Sequence, residues 1–422
     1  MPIDALGHPR RRRISVVTAG HLSTSPRMLK SADALAGAGY DVRVVATSTE
    51  PWATDADREV RARRHWPVTT ICYDKAGSGP TYWWTGARRR MSRAVVGLVG
   101  AERAALPLVA RSVGRVHAEL VRALTAQPAD LMYGGTTGAL AAVAEAGRIT
   151  GTPYALDLED FHSGENGGAD ARFNDAMAAH IEQAVLPGAA FLTTSSEPIA
   201  AAYFDAYRLM PRVIHNTFPL PHRTPDFTRV DPSRLRLYWF SQSIGPGRGL
   251  EDAIAAAGRA GIAAELALRG RPLPGYLESL RQLAVAHAPR LSVTHQAPAP
   301  PDEMIDLARG YDVGLALERM DVRNHQLALS NKALTYILAG VAVALTDTPG
   351  QHALAVDMGR AAALVPVGDV DALAAAFALW ARDPVELDCA KRTAWLAATR
   401  RWHWEHALER GALCALVREA LA

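Results

Sequence analysis

Short apolar runs of mostly β-branched residues alternate with longer runs rich in alanine and leucine along almost the whole chain of 422 residues. Strands covered on both faces read as nearly continuous apolar runs, and parallel strands need a crossover helix between them. The strand-like runs fall into two series: Ile14–Thr18, Val42–Thr47, Thr69–Tyr73, Leu131–Tyr133, Tyr154–Leu158, Phe191–Ser195 and Val213–Asn216, then Leu235–Ser241, Ala264–Arg269, Leu291–Gln296, Asp312–Leu317, Val341–Thr346 and Ala363–Pro366. The alternation therefore predicts an α/β fold with two parallel sheets.

A segment rich in Pro, Thr, Asp and Arg, His222–Ser233, separates the two series and is typical of a linker. We therefore predict an N-terminal lobe over residues 1–222 and a C-terminal lobe over residues 223–395. Ligands of open parallel sheets bind beyond the carboxyl ends of the strands, so a cleft between the lobes is the expected site. The helix-prone residues 396–422 are expected to form a C-terminal helix that packs back on the first lobe.

The composition excludes several classes of protein. The formal net charge is only +3, from 46 basic and 43 acidic residues, so no nucleic-acid partner is expected. The cysteines Cys72, Cys389 and Cys414 lie far apart without metal-ligand spacing, which predicts neither a disulfide nor a zinc site. The apolar run after Arg10–Arg13 is too short for a signal peptide, and charges interrupt the apolar stretch Val95–Ala110 before it reaches the length of a membrane span. These features predict a cytoplasmic protein.

One segment, residues 82–126, departs from the alternation. Trp83 and Trp84 precede a run rich in arginine, and Glu102 is the only acidic residue between Tyr82 and Arg115. Tryptophans and arginines beside apolar residues are typical of a helix in a membrane interface, although a solvated basic face gives the same pattern. The segment therefore predicts a basic helical excursion from the first lobe, whose residues 82–122 would contact an anionic membrane surface and attach the protein to the inner face of the membrane.

Gly20 follows the first predicted strand and precedes a helix that begins near Arg27. A glycine at such a turn lets a ligand approach the backbone, and the N–H groups of the helix terminus favour a phosphate. Arg27 and Lys30 lie one helical turn apart and face the same way. Many α/β turns contain a glycine without binding anything, so Gly20 is a candidate phosphate contact with that alternative left open.

Carboxylates and one histidine follow the strand Tyr154–Leu158, at the end that faces the ligand side of an open parallel sheet. Such a cluster can supply a general base, orient substrate hydroxyls or hold a metal, and a solvated acidic loop is the alternative. We take Glu159, Asp160 and His162 as the candidate catalytic residues.

The second lobe opens on an apolar strand, a loop rich in glycine and proline, and an amphipathic helix. The loop carries Arg248 and Gly249 directly before the helix, which is a plausible cradle for a diphosphate. Its spacing is neither GxGxxG nor GxxxxGK[ST], so neither a dinucleotide fingerprint nor a P-loop is predicted.

Lys332 is one of only four lysines and stands in the first turn of a predicted helix that Ser330 or Asn331 can cap and Gly340 can end. A cation in the first turn opposes the helix dipole. A bound anion would remove that conflict, so Ser330, Asn331 and Lys332 form the most specific candidate binding site in the sequence.

With these motifs, the chain resembles the GT-B glycosyltransferases of the retaining family 4 over nearly its whole length. Pro26-Arg27 with Ala32–Val42 is similar to the family's opening "PR…A..LA..G..V". Arg248–Glu251 is similar to the start of its donor lobe, Asn331–Val343 resembles "NK…EY.aaG.pV", and Trp404-Glu405 resembles its terminal "W(E/D)".

The resemblance implies two Rossmann-like lobes around a deep cleft, with a C-terminal helix returning to the first lobe. It implies an enzyme that moves a hexose or related sugar from a nucleotide-diphosphate donor to an acceptor hydroxyl, with retention of configuration and without a metal or other cofactor. The donor would lie on Gly20, Arg248, Gly249 and the residues Ser330–Lys332. A lipid-linked acceptor, a polysaccharide precursor and a natural product remain open as acceptors.

Some positions depart from the family. The glutamate that binds the nucleotide ribose is replaced by Thr335, whose hydroxyl would take the ribose, and its upstream partner by Leu327. The arginine before the phosphate loop is missing, and Glu159-Asp160 replaces the usual histidine, with His162 two residues on. These departures keep two alternatives open, a sister enzyme (a sugar-nucleotide epimerase or a pseudoglycosyltransferase) and a non-catalytic remnant of the fold.

Overall fold

The structure is a computed structural model that describes residues 11–229 and 231–422. Residues 1–10 of the predicted first lobe, with Arg10 of the basic start, and Val230 of the predicted linker lie outside the described residues. The chain divides into two compact units. Unit 1 is built from the residues up to Ile214 together with Arg410–Ala422, and unit 2 is His215–Glu409.

Unit 1 contains a seven-stranded sheet, and every strand pair in it is parallel. Its strands are β1 (Arg13–Thr18), β2 (Asp41–Ser48), β3 (Val68–Cys72), β4 (Leu131–Gly135), β5 (Tyr154–Leu158), β6 (Leu192–Thr194) and β7 (Arg212–Val213). They lie in the order β3-β2-β1-β4-β5-β6-β7. The order reverses between β1 and β4, which is the point at which open sheets of this type bind ligands.

The strands of unit 1 are connected by helices, as parallel pairing requires. These are α1 (Pro26–Gly37), α2 (Pro51–Ala62), α3 (Gly79–Val99), α4 (Leu106–Val113), α5 (His117–Thr125), α6 (Thr137–Thr150), α7 (Ala171–Val185) and α8 (Glu197–Tyr207).

Unit 2 contains a six-stranded parallel sheet in the order β10-β9-β8-β11-β12-β13. Its strands are β8 (Leu235–Ile244), β9 (Ala264–Pro272), β10 (Leu291–Gln296), β11 (Val313–Ala316), β12 (Ala342–Thr346) and β13 (Ala362–Val365). Its helices are α9 (Leu250–Ala260), α10 (Tyr276–His287), α11 (Met304–Ala308), α12 (Arg323–Leu327), α13 (Asn331–Ala339), α14 (Pro349–Met358), α15 (Val370–Arg382) and α16 (Pro384–Arg400).

Both faces of the unit 2 sheet are buried, which explains why its strands read as continuous apolar runs. Leu237 and Trp239 of β8 belong to the core on one face, and Tyr238 between them belongs to the core on the other. All three side chains are fully buried. The predicted pair of parallel sheets is confirmed, and each predicted strand-like run overlaps a strand, although the run Val213–Asn216 shares only Val213 with β7.

The C-terminal residues do not form the single helix expected over residues 396–422. The helix α16 ends at Arg400, and a last helix, α17 (Ala412–Ala420), follows after a break. Two residues in this break hold an earlier segment: the Trp404 N–H donates to the Phe218 carbonyl at 2.9 Å, and Glu405 Oε2 accepts from the Leu220 N–H at 3.0 Å. The helix α17 belongs to unit 1, so the chain returns to that unit after unit 2.

The basic excursion consists of three helices, α3 to α5, and much of its charge is used within the protein. Arg88 forms an ion pair with Glu119, and the Arg89 Nε donates to the Ser112 carbonyl at 3.0 Å. Arg93 donates to Asn174 Oδ1 at 3.1 Å. A solvated basic face, which was the alternative to membrane contact, is therefore only partly present. Among the described residues, no helix is long and apolar enough to cross a membrane.

Candidate functional site

The loop after β8 begins later than the sequence suggests, because β8 continues past an irregularity between Phe240 and Ser243 as far as Ile244. The loop ends at Gly249, whose φ of +71° favours glycine. A Cβ at this position would lie 2.6 Å from the carbonyl oxygen of Leu317. The glycine therefore lets the loop pack directly against the chain that follows β11.

The residue after Leu317 is Glu318, and it is the centre of a charged cluster. Its Oε1 accepts from Lys332 Nζ at 2.7 Å and from Ser330 Oγ at 2.9 Å. Its Oε2 lies 4.0 Å from Arg248 Nη1. Glu318 is only 8% exposed. Burial alone would raise the pKa of Glu318, but Lys332, Ser330 and Arg248 lower it to about 2, so Glu318 is a carboxylate at neutral pH.

The structure thus brings together Arg248, Ser330 and Lys332, which the sequence marked separately, and joins them through Glu318, which it did not mark. The carboxylate of Glu318 offsets the unfavourable interaction between the Lys332 charge and the positive end of the α13 dipole. The sequence could have marked Glu318 as a candidate site residue, because it directly follows a predicted strand, at the end of the sheet where ligands bind.

The start of α13 differs from the expected cap. Ser330 occupies the N-cap position, but its hydroxyl donates to Glu318 and makes no capping bond to the helix. Asn331 is exposed in the first turn. Thr335 is 1% exposed, and its hydroxyl donates to the Asn331 carbonyl at 2.9 Å. This geometry gives Thr335 a partner within its own helix and does not support the expected ribose contact.

This cluster can bind an anion. Arg248 and Lys332 carry two positive charges and Glu318 one negative charge, so these three residues together have a net charge of +1. Lys332 has three N–H donors and uses one of them on Glu318. The first-turn N–H groups of α13 point out of the helix and favour a negative group. A diphosphate has the charge and the acceptor oxygens that such an arrangement attracts.

Gly20 and the other candidates of the first lobe lie in unit 1. Gly20 follows β1, and its N–H donates to Thr18 Oγ1 at 3.2 Å. Arg27, expected near a phosphate, instead forms a buried bidentate pair with Asp157, with Nε–Oδ2 at 2.7 Å and Nη2–Oδ1 at 2.8 Å. Arg27 also donates to the Ile214 carbonyl at 2.6 Å. This pair holds α1 against the sheet, so Asp157 and Arg27 have a structural role.

Glu159 and Asp160 follow β5 directly, so the structure keeps them together at the ligand end of the unit 1 sheet. Burial raises the pKa of Glu159, and the neighbouring Asp160 carboxylate raises it further against the opposing charge of Arg27. A carboxyl group with a raised pKa is a candidate general acid or base.

His162 is buried beside these carboxylates and has a carboxylate partner of its own. Its Nδ1 lies 2.8 Å from Glu165 Oε2 and 3.0 Å from Thr137 Oγ1. Burial alone would lower the pKa of His162, but Glu165, with Glu182 and Asp160, raises it to about 9. The Nε2 atom has no hydrogen-bond partner among the described residues. At neutral pH His162 is thus a charged imidazolium with one unused donor.

No group of three or more His, Cys, Asp and Glu residues among those described is placed to hold a metal ion.

The sequence matches no protein-family model and no curated protein. Solved structures do match. HepE of Anabaena, in complex with UDP, is similar at 16% sequence identity with a TM-score of 0.65, covering 97% of this chain and 99% of that one.

The sucrose-phosphate synthase of Thermosynechococcus elongatus is similar at 15% identity and a TM-score of 0.68, with 97% of this chain and 99% of that chain covered. S. aureus TarM, in a complex that includes UDP, is similar at 7% identity and a TM-score of 0.65, with the same coverage of 97% and 99%. At these identities the likeness shows the fold, which is the GT-B arrangement of two parallel-sheet lobes that the sequence predicts.

Proposed function

We propose that this chain is a glycosyltransferase that moves a hexose or related sugar from a nucleotide-diphosphate donor to an acceptor hydroxyl. The observation that carries the proposal is the cluster of Arg248, Lys332 and Glu318 at the N-terminus of α13. It stands in a fold shared with HepE and TarM, whose structures contain UDP. In the proposed division of labour, the lobe over residues 223–395 takes the donor and the lobe over residues 1–222 takes the acceptor.

The chemistry of the transfer needs positive charge where the diphosphate leaves. As the bond between the sugar and the diphosphate breaks, negative charge develops on the leaving oxygen, and Lys332, Arg248 and the α13 N–H groups would stabilise it. Because these groups can supply that stabilisation, we propose transfer without a metal ion. We also propose retention of configuration and membership of family 4, for which the sequence resemblance is the only support.

The groups of unit 1 would handle the acceptor hydroxyl or the sugar. The His162 imidazolium has an unused Nε2 donor, and the raised pKa of Glu159 suits proton transfer. We propose that Glu159, Asp160 and His162 orient hydroxyl groups, with Glu159 as the group that accepts or returns a proton.

Release of nucleoside diphosphate from a panel of UDP-, GDP-, ADP- and dTDP-sugars tests the proposal, with water or an added polyol as the acceptor. We expect the wild-type protein to release nucleotide from at least one donor, and Arg248→Gln to slow release by about 100-fold. The matched control is Arg259→Gln, which removes the same charge from an exposed ion pair with Asp371. Release from no donor, or equal rates in wild type and Arg248→Gln, would contradict the proposal.

We further propose that α3 attaches the protein to the cytoplasmic face of a membrane, consistent with a lipid-linked acceptor. Trp84, Met91, Val95 and Leu98 are exposed and recur at helical spacing, so one face of α3 is an apolar stripe.

Flotation with vesicles containing phosphatidylglycerol tests whether α3 attaches the protein to a membrane. We expect wild type and the control Val285→Ser, another exposed position, to float, and Trp84→Ser to float much less. Absence of wild-type binding at low salt would reject the attachment.

A further inference from the structure

Unit 1 contains a cavity that is lined in part by arginines of the basic excursion. The cavity has a volume of about 260 Å³, and its lining includes Ala19, Thr49 and Tyr73, together with Arg89, Arg115 and Gly138. Ala19, Thr49 and Tyr73 are the residues that follow β1, β2 and β3. The cavity therefore lies at the carboxyl ends of three adjacent strands, the edge at which open parallel sheets bind their ligands.

Two arginines at this cavity are fixed by neutral partners. The Arg89 Nε donates to the Ser112 carbonyl at 3.0 Å, and the Arg115 Nε donates to Thr85 Oγ1 at 3.1 Å. The Arg115 guanidinium also lies over the Tyr82 ring, 4.2 Å from its centroid. These contacts orient both side chains and leave further N–H donors on each guanidinium.

Neither arginine has an ion pair with a carboxylate among the described residues, whereas Arg88 on the same helix pairs with Glu119. Burial lowers the pKa of Arg89, and repulsion from Arg93 and Arg115 lowers it further. Positive charges that are partly buried, close together and without a counter-ion are costly to the folded state. An anion in the cavity would remove that cost.

The backbone around the cavity also favours an anion. Gly138 is the second residue of α6, so the N-terminal N–H groups of this helix are at the cavity. Thr136, just before the helix, has a φ of +75°, which is rare for a residue with a branched side chain. Its Oγ1 accepts from the Ala19 N–H at 3.1 Å, which ties the strained turn to the end of β1. Strained turns of this kind are concentrated at functional sites.

We propose that this cavity binds a phosphate group carried by the acceptor. A phosphate ester carries a charge of about −1.5 to −2 at neutral pH, which matches two guanidinium groups better than the single charge of a carboxylate does. The inference rests on the proposed function only in calling the ligand an acceptor; the phosphate site itself stands on Arg89, Arg115 and the start of α6.

Calorimetric titration with inorganic phosphate tests the site, in a Lys332→Gln background that weakens phosphate binding to unit 2. We expect Arg89→Gln to raise the Kd for phosphate by about tenfold or more, because one of the two cations is lost. The matched control is Arg90→Gln, an exposed arginine next to it on α3, which should change the Kd less than twofold. Arg89→Lys keeps the charge and should give a smaller rise than Arg89→Gln. No binding in the Lys332→Gln background, or equal effects of Arg89→Gln and Arg90→Gln, would overturn the proposal.

Two further ligands distinguish the sources of the phosphate. If glycerol 3-phosphate competes with inorganic phosphate at this site, the acceptor is a soluble phosphate ester. If it does not compete, but a short-chain phosphatidic acid below its critical micelle concentration does, the phosphate belongs to a lipid. Competition by neither would overturn the assignment to an acceptor phosphate. Failure of sugar transfer would leave the phosphate titration unchanged, so the two proposals fail separately.

Discussion

Glu318 is the residue on which the candidate donor site depends. It hydrogen-bonds to Lys332 and Ser330 and lies 4.0 Å from Arg248, so it orients Lys332 and attracts Arg248 before any ligand is present. A bound diphosphate would compete with Glu318 for Lys332. We therefore expect this carboxylate to moderate the affinity of the site for nucleotide, which would help the product to leave.

The pKa of Glu318 predicts how the stability of the protein depends on pH. The pKa falls from 4.5 to about 2 on folding, so the stabilisation by Glu318 is present above pH 4.5 and is lost as the pH falls toward 2. At pH 7 we expect Glu318→Gln to lower the free energy of unfolding by on the order of 3 kcal/mol. Urea unfolding at pH 7 and pH 3.5 measures this. The exposed control Glu303→Gln should differ little from wild type, and a Glu318→Gln deficit that stays constant between the two pH values would contradict the pKa.

The pairing of Arg27 with Asp157 could not be recognised from the sequence. Both stand where α/β folds bind ligands, and only the structure shows that they pair with each other. We expect Arg27→Leu to destabilise the protein by about 3–5 kcal/mol, because it leaves the Asp157 carboxylate buried without its partner.

The double variant Arg27→Leu with Asp157→Leu should recover part of that loss, which a double-mutant cycle in urea measures. Strictly additive effects of the two substitutions would show that the pair is not coupled.

Among the secondary-structure elements, the positions of the strands could be predicted from the sequence, but the residues at which some elements end could not. Each predicted apolar run overlaps a strand, and the pattern is strongest for central strands such as β4 and β12, which are buried along their whole length. The extension of β8 to Ile244 depends on pairing of Ser243 with Arg271 after an irregularity, and this contact has no local signal. The break between α16 and α17 likewise depends on Trp404 and Glu405 bonding to residues near 220, far away in the sequence.

The glycines at the two ends of α9 can be compared directly, because both have positive φ but only one packs against another part of the chain. Gly249 and Gly261 both have positive φ, 71° and 61°, but only Gly249 lies against another element, with Leu317 O 2.6 Å from an added Cβ. We expect Gly249→Ala to cost more stability than Gly261→Ala, which carries only the strain of about 1–2 kcal/mol for an αL residue. Gly249→Ala should also weaken nucleotide binding, since it moves the loop that carries Arg248. Equal stability losses and unchanged nucleotide binding would contradict this role.

At the scale of the whole molecule, the chain enters unit 2 at His215 and leaves it at Glu409. These two residues, 194 positions apart, are joined by the His215 N–H to Glu409 Oε2 bond and by His215 Nδ1 to Glu409 Oε1 at 3.1 Å. Arg401 also donates to Glu409. The sequence indicated two lobes and a returning tail from composition and periodicity, but the residues that close unit 2 were not recognisable because they meet only in the folded chain.

We propose that unit 2 binds a nucleoside diphosphate on Lys332 and Arg248. The most direct test is isothermal titration of the full chain with UDP, GDP, ADP and dTDP, comparing wild type, Lys332→Gln and the control Arg259→Gln. We predict that at least one nucleotide binds wild type and Arg259→Gln alike, with a Kd in the range of about 1 μM to 1 mM, and binds Lys332→Gln at least about tenfold more weakly. Binding of none of the four, or equal binding by wild type and Lys332→Gln, would contradict the claim.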